Sequence, residues 1–214
     1  MLNNIEAAIF DLDGTLIDSM WVWKQIDIDF LNSKGHTVPK DLKEKISHLS
    51  FKEVAVYFKT TFNLDDSIED ILDTWNQMAI EHYSKNVHLK PGVNSFLKFL
   101  KNKGIKIGLA TSNNNLLLER ALKSNSIYDY FDVITTTAET GKTKREPDVY
   151  LLCAQKLQVA PNKCIVFEDI LDAVQGAKLA DMKVIAVNDA DSEDQKEELI
   201  KIADKYIYDF TELI

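Results

Sequence analysis

The sequence predicts an α/β fold: a parallel sheet covered by helices and interrupted, after its first strand, by an all-helical segment. Three observations carry this prediction. From Pro91-Gly92 onward, apolar runs of strand length alternate with helical segments, the pattern of right-handed βαβ units. The runs are apolar throughout, as expected of strands buried on both faces. Between Ser19 and Lys85 helical spacing dominates and no strand pattern emerges.

The first element is a short apolar run, Ala7–Phe10, which ends at Asp11 and enters a turn at Asp13-Gly14. Within the helical segment, Trp21, Ile28 and Leu31 mark one helix and Val54, Tyr57 and Phe58 another. Ile68, Ile71, Leu72, Trp75 and Met78 mark a third. Pro39, with Asp41 behind it, opens a further short helix. Helix Val93–Asn102 then leads through Gly104 to strand Ile105–Ala110, and helix Asn115–Ser124 to strand Val133–Thr136. Helix Asp148–Leu157 precedes strand Cys164–Phe167, and helix Ile170–Ala180 precedes strand Val184–Val187. A last helix, Glu193–Ile202, comes before a weak strand at Tyr206–Ile207. The result is a Rossmann-like core with a helical insertion. The core is expected over residues 1–17 and 87–214, and the insertion over 18–86.

Composition narrows the function classes. The chain has 214 residues, 45% hydrophobic and 28% charged, which suits a globular protein rather than a disordered one. Its net charge of −9 argues against nucleic acid or anionic lipid as partner. No run reaches the roughly 18 apolar residues of a membrane span, and the N-terminus has no positive n-region. Cys153 and Cys164 lack metal-knuckle or redox-pair spacing and read as small buried thiols. A cytoplasmic monomer is expected.

Ligand sites of open α/β sheets lie at the carboxyl ends of the strands. The first strand ends in Asp11-Leu12-Asp13-Gly14-Thr15, the second in Thr111-Ser112-Asn113 and the fourth in Glu168-Asp169. The loop after the third carries Lys142, Lys144 and Arg145. Acids, hydroxyls and a cation therefore converge on one edge.

On these residues the chain resembles the haloacid dehalogenase superfamily. The segment Asp11-Leu-Asp-Gly-Thr-Leu-Ile-Asp-Ser is similar to its first motif and Thr111 to its second. Lys144, followed by Pro147-Asp148, is similar to the third and Glu168-Asp169 to the fourth. The pattern is nearest the branch of phosphatases and mutases that resembles β-phosphoglucomutase, in which a helical cap lies between the first two motifs. The resemblance implies an Mg²⁺-dependent phosphohydrolase acting on a small phosphorylated metabolite. Asp11 would be the nucleophile, forming an aspartyl-phosphate. Asp13 would be the general acid and base, its backbone carbonyl resembling the family's metal ligand. Asp169 would bind Mg²⁺ beside Asp11, with Glu168 acting directly or through water. Lys144, chosen over Lys142 by the spacing to Pro147, would neutralise the nucleophile and the transferring phosphoryl group. Thr111, Ser112 and Asn113 would bind phosphate.

Charge supports the metal. Asp11, Asp13, Glu168 and Asp169 are faced by Lys144 alone, so a phosphate dianion would be repelled without a divalent cation. A mutase is the alternative. Trp23 stands where mutases carry a histidine on the first cap helix, and Phe51 where they carry a phosphate-gripping arginine, with Lys52 displaced. Asp13 argues against a dehalogenase, and a phosphoryl-ligand binding protein without turnover is the weaker alternative. Trp21, Trp23 and Phe51 are expected chiefly to pack cap helices, with at most one or two lining a pocket. Asp181 stands where a glycine often ends the helix of the fourth motif.

Overall fold

The computed structural model describes residues 4–46 and 49–214. It divides into two compact units: residues up to 19 together with 87–214, and residues 20–86.

The first unit holds the α/β fold that the periodicity predicts. Strands β1 (Ala7–Phe10), β4 (Lys106–Thr111), β5 (Val133–Thr136), β6 (Cys164–Glu168), β7 (Lys183–Val187) and β8 (Lys205–Ile207) form one sheet. All its pairings are parallel, in the order β5-β4-β1-β6-β7-β8. The strand order reverses between β1 and β6, and that switch point is where such sheets bind ligands. Helices α5 (Val93–Asn102), α6 (Asn115–Ser124), α7 (Thr137–Thr140), α8 (Asp148–Leu157), α9 (Leu171–Leu179) and α10 (Lys196–Ile202) connect them.

Strand alternation divides the core. Ala7 and Ile9 join Val166, Val149, Tyr150, Cys153 and Val174 on the α8–α9 side. On the other side Phe10 stacks on its register partner Phe167 at 4.5 Å, and Phe96 and Phe210 close the cluster. Both cysteines are free and buried, and burial pushes Cys153 up to about 12 and Cys164 to about 11.

Several boundaries differ from the sequence reading. A two-residue antiparallel pair, β2 (Ile17–Asp18) with β3 (His88–Leu89), joins the two points where the chain leaves and re-enters the first unit. It is too short to leave a periodic signal. Lys90 extends it, its N–H donating to the Leu16 carbonyl at 2.9 Å and its Nζ pairing with Asp189 at 2.8 Å. The helix expected over Glu193–Ile202 is a 3₁₀ turn, Ala190–Gln195, followed by α10; Asp189 caps the turn through the Asp191 N–H. Asp181 ends α9's connection to β7 with φ +59°, a left-handed conformation that Asp tolerates.

The second unit contains α1 (Val22–Ser33), α2 (Leu42–Ile46), α3 (Phe51–Thr61) and α4 (Ile68–Lys85). Ser50–Glu53 and Ser67–Asp70 form capping boxes that start α3 and α4. Trp75, only 2% exposed, packs edge-on against Phe58 at 4.9 Å and Phe30 at 5.6 Å. Trp21 meets His82, while Trp23 and Phe51, each 40% exposed, touch edge to face at 5.4 Å. Phe51 also reaches Trp75, so all three rings make contacts within the unit, while Trp23 and Phe51 keep part of their surface open. Among the described residues no helix is long and apolar enough to cross a membrane.

Phe210 comes from the last turn of the chain, is fully buried and contacts three other rings. Phe210→Ala is expected to cost about 3–5 kcal/mol of stability, read as a lower urea midpoint at unchanged slope.

Candidate active site

The parallel ladder sets the first acid in place. The Asp11 N–H donates to the Phe167 carbonyl at 3.0 Å, carrying the β1–β6 pairing one residue past β1. Glu168 ends β6 and Asp169 follows. One carboxylate oxygen each from Asp11, Glu168 and Asp169 lies within 4.8 Å of the others, and all three residues are buried. Lys144 pairs with Asp11 Oδ1 and, at 2.6 Å, with Glu168 Oε1. The Tyr150 hydroxyl donates to that same Oε1 at 2.8 Å. Thr15 Oγ1 donates to Asp169 Oδ1 at 3.0 Å.

The loop after β1 folds on itself to reach this arrangement. The Leu12 carbonyl accepts from the Leu16 and Ile17 N–H groups at 2.9 and 3.1 Å, and the Gly14 N–H donates to the Ile17 carbonyl at 3.0 Å. Gly14 has φ +82°, and a Cβ there would overlap the Asp169 carboxylate. Both its conformation and its neighbour therefore require glycine.

A second group lies at the end of β4. Asp13 accepts from Ser19 Oγ at 2.7 Å and from Asn113 Nδ2 at 2.8 Å. Thr111 is buried, and its Oγ1 accepts from the Asn113 N–H at 3.0 Å. The Asn113 N–H, expected to face phosphate, is thus engaged in a local turn of the kind Thr hydroxyls form. Ser112 is exposed. Asn114 caps α6 through the Leu117 N–H. Of the two loop lysines, Lys144 is buried among the acids and Lys142 is exposed.

The electrostatics follow from burial. It pushes Asp11 above the usual carboxylate range against the pull of Lys144. It lifts Glu168 to about 7. It raises Asp169 well above its ordinary value, with the Asp11 and Glu168 charges adding to it. For Lys144 burial works against the charge, yet Asp11 and Glu168 more than offset it and the ammonium is held. Acid therefore exceeds base in a buried space. Glu168 Oε2 is buried with no hydrogen-bond partner among the described residues, an expensive state for a carboxylate. An all-oxygen donor set with an orphaned acceptor fits a hard divalent cation. Asp11, Asp169 and Glu168 would hold it, with Asp13 expected to add its backbone carbonyl.

Four contributors escaped the sequence reading. Thr15 and Ser19 lie inside the first motif but carry no distinguishing pattern. Tyr150 reads as one more apolar residue of α8. Gly176 does leave a signal, since glycine in a helix interior is unfavourable without a packing reason. A Cβ there would overlap the Lys144 carbonyl and come within 3.0 Å of Arg145 C and Glu146 O. Its bare face lets α9 approach the backbone that carries Lys144.

The sequence profile of the haloacid dehalogenase-like hydrolase family matches residues 8–187. The chain is 30% identical to the phosphorylated carbohydrates phosphatase of Thermotoga maritima, over 85% of this chain and 84% of that protein. It is 29% identical to hexitol phosphatase B of Escherichia coli K12, over 98% and 94% respectively. Among solved structures, a candidate β-phosphoglucomutase from Thermotoga maritima superposes with a TM-score of 0.85 at 29% identity, covering 95% of this chain and 94% of that one.

Two outcomes are expected. Gly176→Ala should lower stability by about 1–3 kcal/mol through overpacking, read by chemical denaturation, with every polar group of the site still present. Glu168 titrates near 4.5 when unperturbed and at about 7 in the fold. The folded state then holds the extra proton between those values, so its penalty is absent below the lower one and complete above the upper one. Without metal, the melting temperature of the native protein should fall relative to Glu168→Gln as pH rises through this window.

Proposed function

This chain belongs to the haloacid dehalogenase-like hydrolases and is an enzyme of their phosphatase type; we propose that it is an Mg²⁺-dependent phosphohydrolase that frees a small sugar or polyol from its phosphate through an aspartyl-phosphate. One observation carries the reading: Asp11 lies at the sheet's switch point with its carboxylate paired to a buried lysine and a ligand atom within 4.8 Å of two further acids. The substrate class rests on the relatives, named for phosphorylated carbohydrates and hexitols. In this reading residues 20–86 are the cap.

In the first step an Asp11 carboxylate oxygen bonds to phosphorus while the ester P–O bond breaks, and Asp13 gives its proton to the leaving alkoxide. Water then attacks the aspartyl-phosphate, Asp13 takes its proton, and Asp11 and inorganic phosphate are released. The balance is one ester and one water in, one alcohol and one phosphate out. Asp13 has the supports for this role, since Ser19 and Asn113 orient both of its oxygens. Lys144 offsets the charge of the nucleophile so that a phosphate dianion can approach. Mg²⁺, when bound, would lower the repulsion between phosphoryl oxygens and the acids and hold the reactants in line. Two free, buried thiols accord with a reducing, cytoplasmic compartment.

The test is phosphate release from phosphorylated sugars, polyols and nucleotide monophosphates, with and without Mg²⁺. Release should depend on Mg²⁺ and fall to background in Asp11→Asn. Asp13→Asn should lose about 10²–10⁴-fold in rate while Mg²⁺ binding persists; equal rates would remove Asp13 from its role. Glucose 1-phosphate converted to its 6-phosphate with no phosphate released would replace hydrolysis by the mutase reading.

A further inference from the structure

We propose that Tyr150 is a positioning residue that fixes which oxygen Glu168 presents to a divalent cation. The inference rests on the cation reading above and goes beyond it. Glu168 Oε1 accepts from two donors, Lys144 Nζ at 2.6 Å and Tyr150 OH at 2.8 Å. A carboxylate oxygen has two lone-pair sites, so Oε1 is filled from within the protein. All remaining acceptor capacity is on Oε2, which is buried and has no partner among the described residues.

Lys144 alone does not enforce this asymmetry. Its ammonium is a point charge with three rotatable donors and serves either oxygen equally well. Tyr150 is different. Its ring is fully buried in the core layer between α8 and the sheet, among Val149, Cys153 and Val166. A phenol has few torsions, and this one is held on a helix. Its hydroxyl therefore marks a fixed point in space, and the oxygen that meets it becomes Oε1. Without that hydroxyl the carboxylate is free to turn and share both oxygens with Lys144, and the open acceptor is lost. Groups that orient a metal-binding carboxylate in this way typically change affinity by about 10–100-fold when removed.

Tyr150→Phe keeps the shape of the ring and removes only the hydroxyl. The measurement is calorimetric titration of the full-length protein with Mg²⁺ alone, beside metal-free melting of each variant. Expected is Mg²⁺ affinity weakened about 10-fold. The same change in a Glu168→Gln background should have no further effect on Mg²⁺ affinity, because the residue Tyr150 acts through is already altered. Native-like Mg²⁺ affinity in Tyr150→Phe overturns the proposal, as does an equal loss in both backgrounds. A native protein that binds no Mg²⁺ overturns the cation reading itself, a result distinguishable from both.

Discussion

Three carboxylic acids meet in a buried space with one ammonium among them, and this charge imbalance governs the rest of the structure. Burial alone would drive protons onto Asp11, Glu168 and Asp169. Lys144 limits that tendency by pairing with two of the three. The fold then has to keep the lysine where it is. The glycine face of α9 lets the chain around Lys144 pack closely, and α8, which begins just after Lys144, brings the Tyr150 hydroxyl to the same Glu168 oxygen that Lys144 meets. A site destabilised by its own charge is thus embedded in a core that is not. Functional sites commonly carry such local cost on a stable frame.

The frame performs a simple geometric task. Acids far apart in the chain must meet, and a parallel sheet does this by placing the ends of neighbouring strands side by side. β1 and β6 are adjacent although the whole helical segment and two strands of the same sheet, β4 and β5, intervene in sequence. Their register aligns Phe10 with Phe167, and the residues after that pair are Asp11 and Glu168.

Much of this was legible in the sequence. Apolar runs gave the strands to within a residue or two, because strands buried on both faces need no alternation. Acids and hydroxyls directly after those runs gave the site edge. What stayed hidden depends on tertiary contact. Nothing about a tyrosine two positions after Asp148 says that its hydroxyl meets a glutamate at the end of another strand. The Asn113 N–H looked like a free donor, and only the folded position of the Thr111 hydroxyl reveals it closing on that N–H. The β2–β3 pair was illegible for a different reason: two residues are too few for any period to appear.

That small ladder also sets the ease with which the chain accommodates its insertion. Ile17–Asp18 and His88–Leu89 clasp the two ends together, so for the sheet the intervening segment is a loop with its ends already joined. Closing a loop costs entropy that grows only logarithmically, about 0.6 kcal/mol for each doubling in length. The segment can therefore lengthen, shorten or be exchanged for another with little thermodynamic consequence for the strands beneath. A two-residue clasp thus makes the sheet and its insertion separable modules, each able to vary without unmaking the other.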